Sequence, residues 1–97
     1  MAKESEFQKK VIDRLETQFP GCIVMKNDPT YIQGIPDLVV LHKDKWASLE
    51  VKKDEKAKHR PNQDYYVKKM KDMSYSSFIY PENEEEVFDE LERAFQT

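Results

Sequence analysis

Two short apolar runs separated by a charged turn restrict this chain more than any other feature. The first is Asp37-Leu38-Val39-Val40-Leu41 and the second is Trp46-Ala47-Ser48-Leu49-Glu50-Val51-Lys52, with Lys43-Asp44-Lys45 between them. Short aliphatic and β-branched runs bounded by turn chemistry read as strands, and so small a gap makes them pair as an antiparallel hairpin. Pro36 has no N–H to give to a ladder, which suits the start of the first strand and sets Asp37 at its entrance. Side chains alternate along the second strand, so Glu50 and Lys52 share one face roughly 6.5 Å apart while Val51 points to the other. The hairpin therefore brings Asp37 near Glu50, on sheet positions where a core does not want charge.

Two carboxylates held close in a half-buried place repel, and without a cation one of them must take up a proton. A divalent metal such as Mg²⁺ or Mn²⁺ resolves the conflict, because a hard ion takes oxygen ligands, commonly one or two carboxylates completed by waters and a substrate phosphate. Asp37, Glu50 and the backbone carbonyl of Val51 supply such an incomplete shell. Lys52 beside them is suited to orient an attacking water and to meet charge that develops on a phosphate. The set points to hydrolysis of a phosphodiester bond. The competing reading is a surface hairpin whose Glu50 and Lys52 form an ordinary same-face ion pair.

Pro36-Asp37, a spacer, then Glu50-Val51-Lys52 resembles the PD-(D/E)XK nuclease superfamily, and Gly34-x-Pro36-Asp37 with the downstream Gln63 resembles its small virus-type replication-repair nuclease (VRR-NUC) branch. The likeness spans nearly the whole chain. It implies an α/β fold of the restriction-endonuclease type, a mixed four-stranded sheet flanked by helices in the order αβββαβα, and a Mg²⁺- or Mn²⁺-dependent DNA endonuclease. It also implies that Gln63 holds Lys52 or a phosphate, and the family's early motif, Glu-x-x-apolar-Gln, falls on Glu4, Phe7 and Gln8. The nearest members imply branched DNA, such as a four-way (Holliday) junction, handled in phage or mobile-element replication, recombination or packaging.

Ninety-seven residues make one domain, 1–97, with room for a core and too little chain for a buried cleft with its own lid, so the site is expected as an open groove. Charged residues make up 36% and aromatics 11%, the composition of a soluble globular domain rather than a disordered or membrane-spanning one. Residues 1–6 lack the apolar stretch of a secretory signal, and the lone Cys22 cannot close an internal disulfide. Both fit a cytoplasmic setting, that of a bacterial host if the chain is phage-borne.

The net charge of −3 looks wrong for a protein of nucleic acids until it is mapped. Residues 82–97 carry seven acids against Arg93 alone, and without them 15 basic and 12 acidic residues leave a net +3. Bases gather at Lys52, Lys53, Lys56, Lys58 and Arg60, directly after the catalytic strand, where a phosphate backbone passing the metal would run. The bland alternative is a solvated loop. For the acidic tail, Asn83 with Glu86 is a capping-box pattern, and Val87, Phe88, Leu91, Ala94 and Phe95 form one apolar helical face.

A first helix from about Glu4 to Phe19 buries Phe7, Val11, Ile12, Leu15 and Phe19 and stops at Pro20-Gly21; Cys22 to Lys26 is a strand. Pro61 opens a helix to about Met73, and Ser76 to Tyr80 is a strand ended by Pro81. Glu4, in helical line with Gln8, Val11 and Leu15, can reach the metal directly or through water, while Glu6 falls on the wet face. Alternatively Ser5 caps the helix with Gln8 as its partner, leaving Glu4 in the lead-in. Gln63 heads a stripe of Tyr66, Val67, Met70 and Met73, so its amide sits at a buried edge where it needs partners. Those Met and Tyr residues read as core, and Tyr65 as a surface or partner contact. With one Cys, His42 and His59 are too few for a zinc site; His59 is placed to touch phosphate.

The catalytic set is thus Asp37, Glu50, Lys52 and Gln63; the metal set Asp37, Glu50, Val51 and Glu4; the DNA-binding set Lys53, Lys56, Lys58 and Arg60. A junction needs two symmetric incisions, which a two-fold homodimer supplies, with Tyr31, Ile32, Tyr65 and Tyr80 either as its seam or buried within one chain. A non-catalytic DNA-binding module of the same fold, acting with partners, would have no reason to keep acids facing a polyanion. An adaptor working through the acidic helix would bind neither metal nor DNA.

Overall fold

Alternation in the central strands decides how the molecule is layered. The computed structural model describes residues 3–96. Along it run α1 (Glu4–Gln18), β1 (Ile23–Lys26), β2 (Leu38–His42), β3 (Lys45–Val51), α2 (Pro61–Met73), β4 (Tyr75–Ile79), a 3-10 turn at Pro81–Asn83, and α3 (Glu84–Gln96). The sheet order is β1-β2-β3-β4, with the first two pairings antiparallel and β3–β4 parallel. This is an α/β fold with a mixed four-stranded sheet flanked by helices, in the order expected from the sequence. Among the described residues no helix is long and apolar enough to cross a membrane.

On one face Leu38, Val40, Ala47, Leu49 and Val51 meet Val11 and Leu15 of α1 and Phe88 and Leu91 of α3 in a continuous apolar core. The other face of β3 and β4 is covered by α2. There the sheet is polar: Ser48 and Ser76 join hydroxyls at 2.7 Å, and Met70 of α2 lies over them with its Sδ 3.8 Å from Ser48 Oγ. Helix α2 does not extend over β1, so Ile23 and Met25 of that edge strand stand exposed.

Four local expectations need correction. His42 pairs with Lys45, so the hairpin turn is only Lys43-Asp44, with Lys43 at φ 58°; a two-residue loop matches the twist of its flanking strands better than a longer one. Ser5 does not cap α1, whose N-cap is Lys3 and whose Phe7 N–H donates to Lys3 O. Asn83 does not cap α3: its side chain folds back to accept from Tyr80 N at 2.8 Å and donate to Phe78 O at 3.0 Å, which builds the 3-10 turn instead. Met73 is 67% exposed rather than core, because it ends α2 where Ser74 turns the chain into β4 and bonds Trp46 O.

The acids of α3 have a structural task. Arg14 of α1 donates to Glu84 at 2.8 Å and to Glu85 at 2.7 Å, and its guanidinium lies 4.1 Å over the Phe88 ring. Glu85, and then Glu84, hold Arg14 firmly charged despite partial burial, and Arg14 in turn depresses the Glu85 carboxyl. Arg14 thereby fastens α1 to the acidic start of α3 over the core.

Candidate functional site

The strand register carries the site. Leu38 pairs with Leu49, so one step outward sets Asp37 beside Glu50 at the mouth of the hairpin. Asp37 Oδ2 accepts the Val51 N–H at 2.9 Å, while the Asp37 carbonyl accepts from Asn27 N at 2.8 Å. The carboxylate is thus fixed by the strand opposite it. Glu50 lies on the polar face, only 3% exposed, and Lys52, 7% exposed, follows on the same side with its N–H donating to Ile79 O at 2.9 Å.

Gln63, in the first turn of α2, ties these groups together. Its Oε1 accepts from Lys52 Nζ at 2.9 Å and from Arg60 N at 2.9 Å, and its Nε2 donates to Glu50 Oε2 at 3.1 Å. One amide therefore orients the ammonium, satisfies the backbone at the helix start and faces the buried carboxyl. Lys52 was one of the two partners, with a phosphate, expected for Gln63.

Burial raises the proton affinity of Glu50 most, and the Asp37 charge raises it further against the opposing pull of Lys52; hydrogen bonding to Asp37 and the more distant Glu4 add to the rise, and the carboxyl is pushed up to about 8. A pair of oxygens in this state is short of positive charge. Asp37 and Glu50 form a pair of carboxylates whose oxygen chemistry suits a hard divalent cation. The residues fit such an ion. Among the described residues no three His, Cys, Asp or Glu side chains gather as a metal-binding group; Glu4, exposed at the start of α1, acts on Glu50 through its charge.

Asp37 and Glu50 open into a cleft of about 460 Å³ whose walls are the 29–35 loop and the start of α2. Arg60 lines it; Lys53, Lys56 and Lys58 stand exposed on the loop leading to it. None of the four forms an ion pair among the described residues. His59 is already engaged, stacked on Phe78 at 3.8 Å with its Nδ1 3.0 Å from Asp64, and so pins the loop to β4 and α2.

Sequence reasoning did not find the opposite wall, where Thr30, Gln33 and Asn62 face the acids. Its signal was Gly34: at φ +88° it abuts Asn62 so closely that a Cβ there would lie 2.6 Å from Asn62 Cγ. Of the expected dimer seam, Tyr31 and Tyr65 are exposed and Ile32 and Tyr80 half-buried. No family model matches the chain, and no curated protein matches it.

Proposed function

We propose that this chain is a Mg²⁺- or Mn²⁺-dependent DNA endonuclease of the PD-(D/E)XK type, VRR-NUC branch, acting on branched DNA such as four-way junctions. The observation that carries the reading is the Asp37–Glu50–Lys52–Gln63 network: a buried Glu50 beside the half-buried Asp37 at an open cleft, with the Lys52 ammonium held next to them by Gln63. A purely structural sheet gains nothing from this arrangement, since burying charge without full pairing costs several kcal/mol.

Asp37, Glu50 and the Val51 carbonyl are the groups that would hold the ion. When bound, it supplies Lewis acidity and a water acidified enough to attack at neutral pH. Lys52, fixed by Gln63, meets the negative charge that grows on the phosphate, and Gln63 keeps Glu50 and Lys52 in register. Lys53, Lys56, Lys58 and Arg60 take the flanking phosphates. A two-fold homodimer would present two such sites to the two symmetric strands of a junction, and a cytoplasmic setting in a phage or mobile-element system fits the task.

The test is Asp37→Asn. Cleavage of a four-way junction should disappear while binding in a gel-shift assay persists or tightens, because a negative charge facing phosphate has gone. Turnover near the wild-type rate would defeat the assignment. A non-catalytic binding module would bind the junction equally in both forms and cut it in neither.

A further inference from the structure

We infer that Tyr31 is a base-stacking residue, whose ring receives an unpaired or splayed nucleobase beside the cleft and so selects branched over continuous duplex DNA. The inference rests on the nuclease reading of the cleft and adds a specificity-determining residue to it. Tyr31 is 85% exposed, the most exposed of the large hydrophobic side chains among the described residues. Its neighbour Thr30 lines the cleft, as do Pro29, Gln33 and Gly34, whereas the Tyr31 ring stands outside that wall in solvent. The other exposed tyrosine, Tyr65, rests against Tyr66 and lies under Lys69. Tyr31 has no ring or cation contact among the described residues.

The loop that presents it is built rather than slack. Asp28 Oδ1 accepts from Thr30 N at 2.8 Å and Thr30 Oγ1 at 2.6 Å, and Asp28 O accepts from Tyr31 N at 3.2 Å. Asn27 Nδ2 closes the base by donating to Pro36 O at 2.8 Å, and Gly34 is seated against Asn62 of α2. The backbone that carries the ring is ordered before anything binds, so only the side chain's own rotamer freedom is lost when a flat partner docks.

Nucleobases are that partner in a cleft of this chemistry. Every base has a π-face, so stacking tolerates any sequence, and an aromatic platform of this kind is worth about 5- to 100-fold in affinity per base. Inside a continuous duplex both faces of each base are covered by their neighbours. At a junction, flap or gap a face is free, which turns an exposed ring into a detector of branching.

The experiment uses the full chain, with Tyr31→Ala and Tyr31→Phe, on a four-way junction and on covalently closed circular duplex. Its first readout is the ratio of kcat/KM between the two DNAs with Mg²⁺. The second, independent of activity, is the fluorescence of 2-aminopurine at the branch when protein binds in EDTA. Tyr31→Ala should lower the junction-to-duplex ratio about 5- to 100-fold and abolish the stacking quench, and Tyr31→Phe should restore both. An unchanged ratio and quench in Tyr31→Ala would overturn the inference. Loss in both variants would overturn it too, by pointing to the hydroxyl, and so would conversion of a sedimenting dimer to monomer by Tyr31→Ala, which assigns the ring to a subunit seam. Absence of cleavage by the wild-type chain would fell the nuclease reading alone, with the quench then deciding Tyr31.

Discussion

Replacing Glu50 by glutamine should make the metal-free protein more stable at high pH and leave it nearly unchanged at low pH. Burial and the neighbouring Asp37 charge lift the Glu50 carboxyl from its ordinary 4.5 to about 8. The folded chain therefore holds this proton more tightly than the unfolded chain does. The associated stability is fully present below about pH 4.5 and is lost as pH rises through about 8. At about 1.4 kcal/mol per tenfold in proton affinity, the shift sets a ceiling of roughly 5 kcal/mol, and local relaxation and water entry around the charged carboxylate bring the expected loss to about 2–4 kcal/mol. The substituted amide keeps the shape of the carboxyl and carries no charge. In EDTA, thermal melts followed by circular dichroism should give Glu50→Gln a Tm above wild type by about 10–20 °C near pH 9, from roughly 4–8 °C per kcal/mol for a domain of this size. Near pH 4 the two should coincide. Added Mg²⁺ should then raise the wild-type Tm at high pH and leave the variant's in place, because a ligand stabilises only the fold that binds it. Equal melting of the two proteins near pH 9, or a wild-type Tm that does not fall between pH 5 and 9, would refute the idea that the acid pair is strained in the absence of a cation.

Two further outcomes follow from the loops around the site. Each phosphate neutralised by Lys53, Lys56, Lys58 or Arg60 contributes about 0.9 to the log–log salt dependence of duplex binding, so replacing two of them by Ala should flatten the slope by nearly two, measured by fluorescence anisotropy across a salt series; an unchanged slope would make the stretch a solvated loop. Gly34→Ala should cost more in urea unfolding than Gly21→Ala by about 1–3 kcal/mol, because both glycines have positive φ but only Gly34 meets a neighbour, Asn62, with Gly21 facing open space; equal costs would remove the contact from the account.

The hairpin and its acids were legible because strand periodicity is strict: once Leu38 and Leu49 both face the core, Asp37 and Glu50 must lie side by side. The amide of Gln63 was legible as a polar head on an apolar stripe with Lys52 as one expected partner, whereas Glu50 and the Arg60 N–H are brought to it only by the folded chain. What escaped was decided between elements. Whether Ile23, Met25 or Met73 is covered depends on where α2 ends and which strands it overlies, and no local pattern encodes that. Asn83 carried a sound capping signal for α3, but a nearer pair of backbone groups at Tyr80 and Phe78 took its side chain. The far wall of the cleft depends on Gly34, itself visible in the sequence, meeting Asn62 from a distant segment, a partner that no local pattern names.

The central claim is that the acid pair, with a divalent ion, hydrolyses DNA. It is tested most directly by incubating the purified wild-type chain with linear, flapped and four-way DNA, each with Mg²⁺, with Mn²⁺ and with EDTA, and resolving the products on a denaturing gel. The account predicts cleavage with either metal, none in EDTA, and paired cuts on opposed strands of the four-way junction, with linear duplex largely spared. Intact DNA under all conditions, or cutting that proceeds undiminished in EDTA, would contradict it.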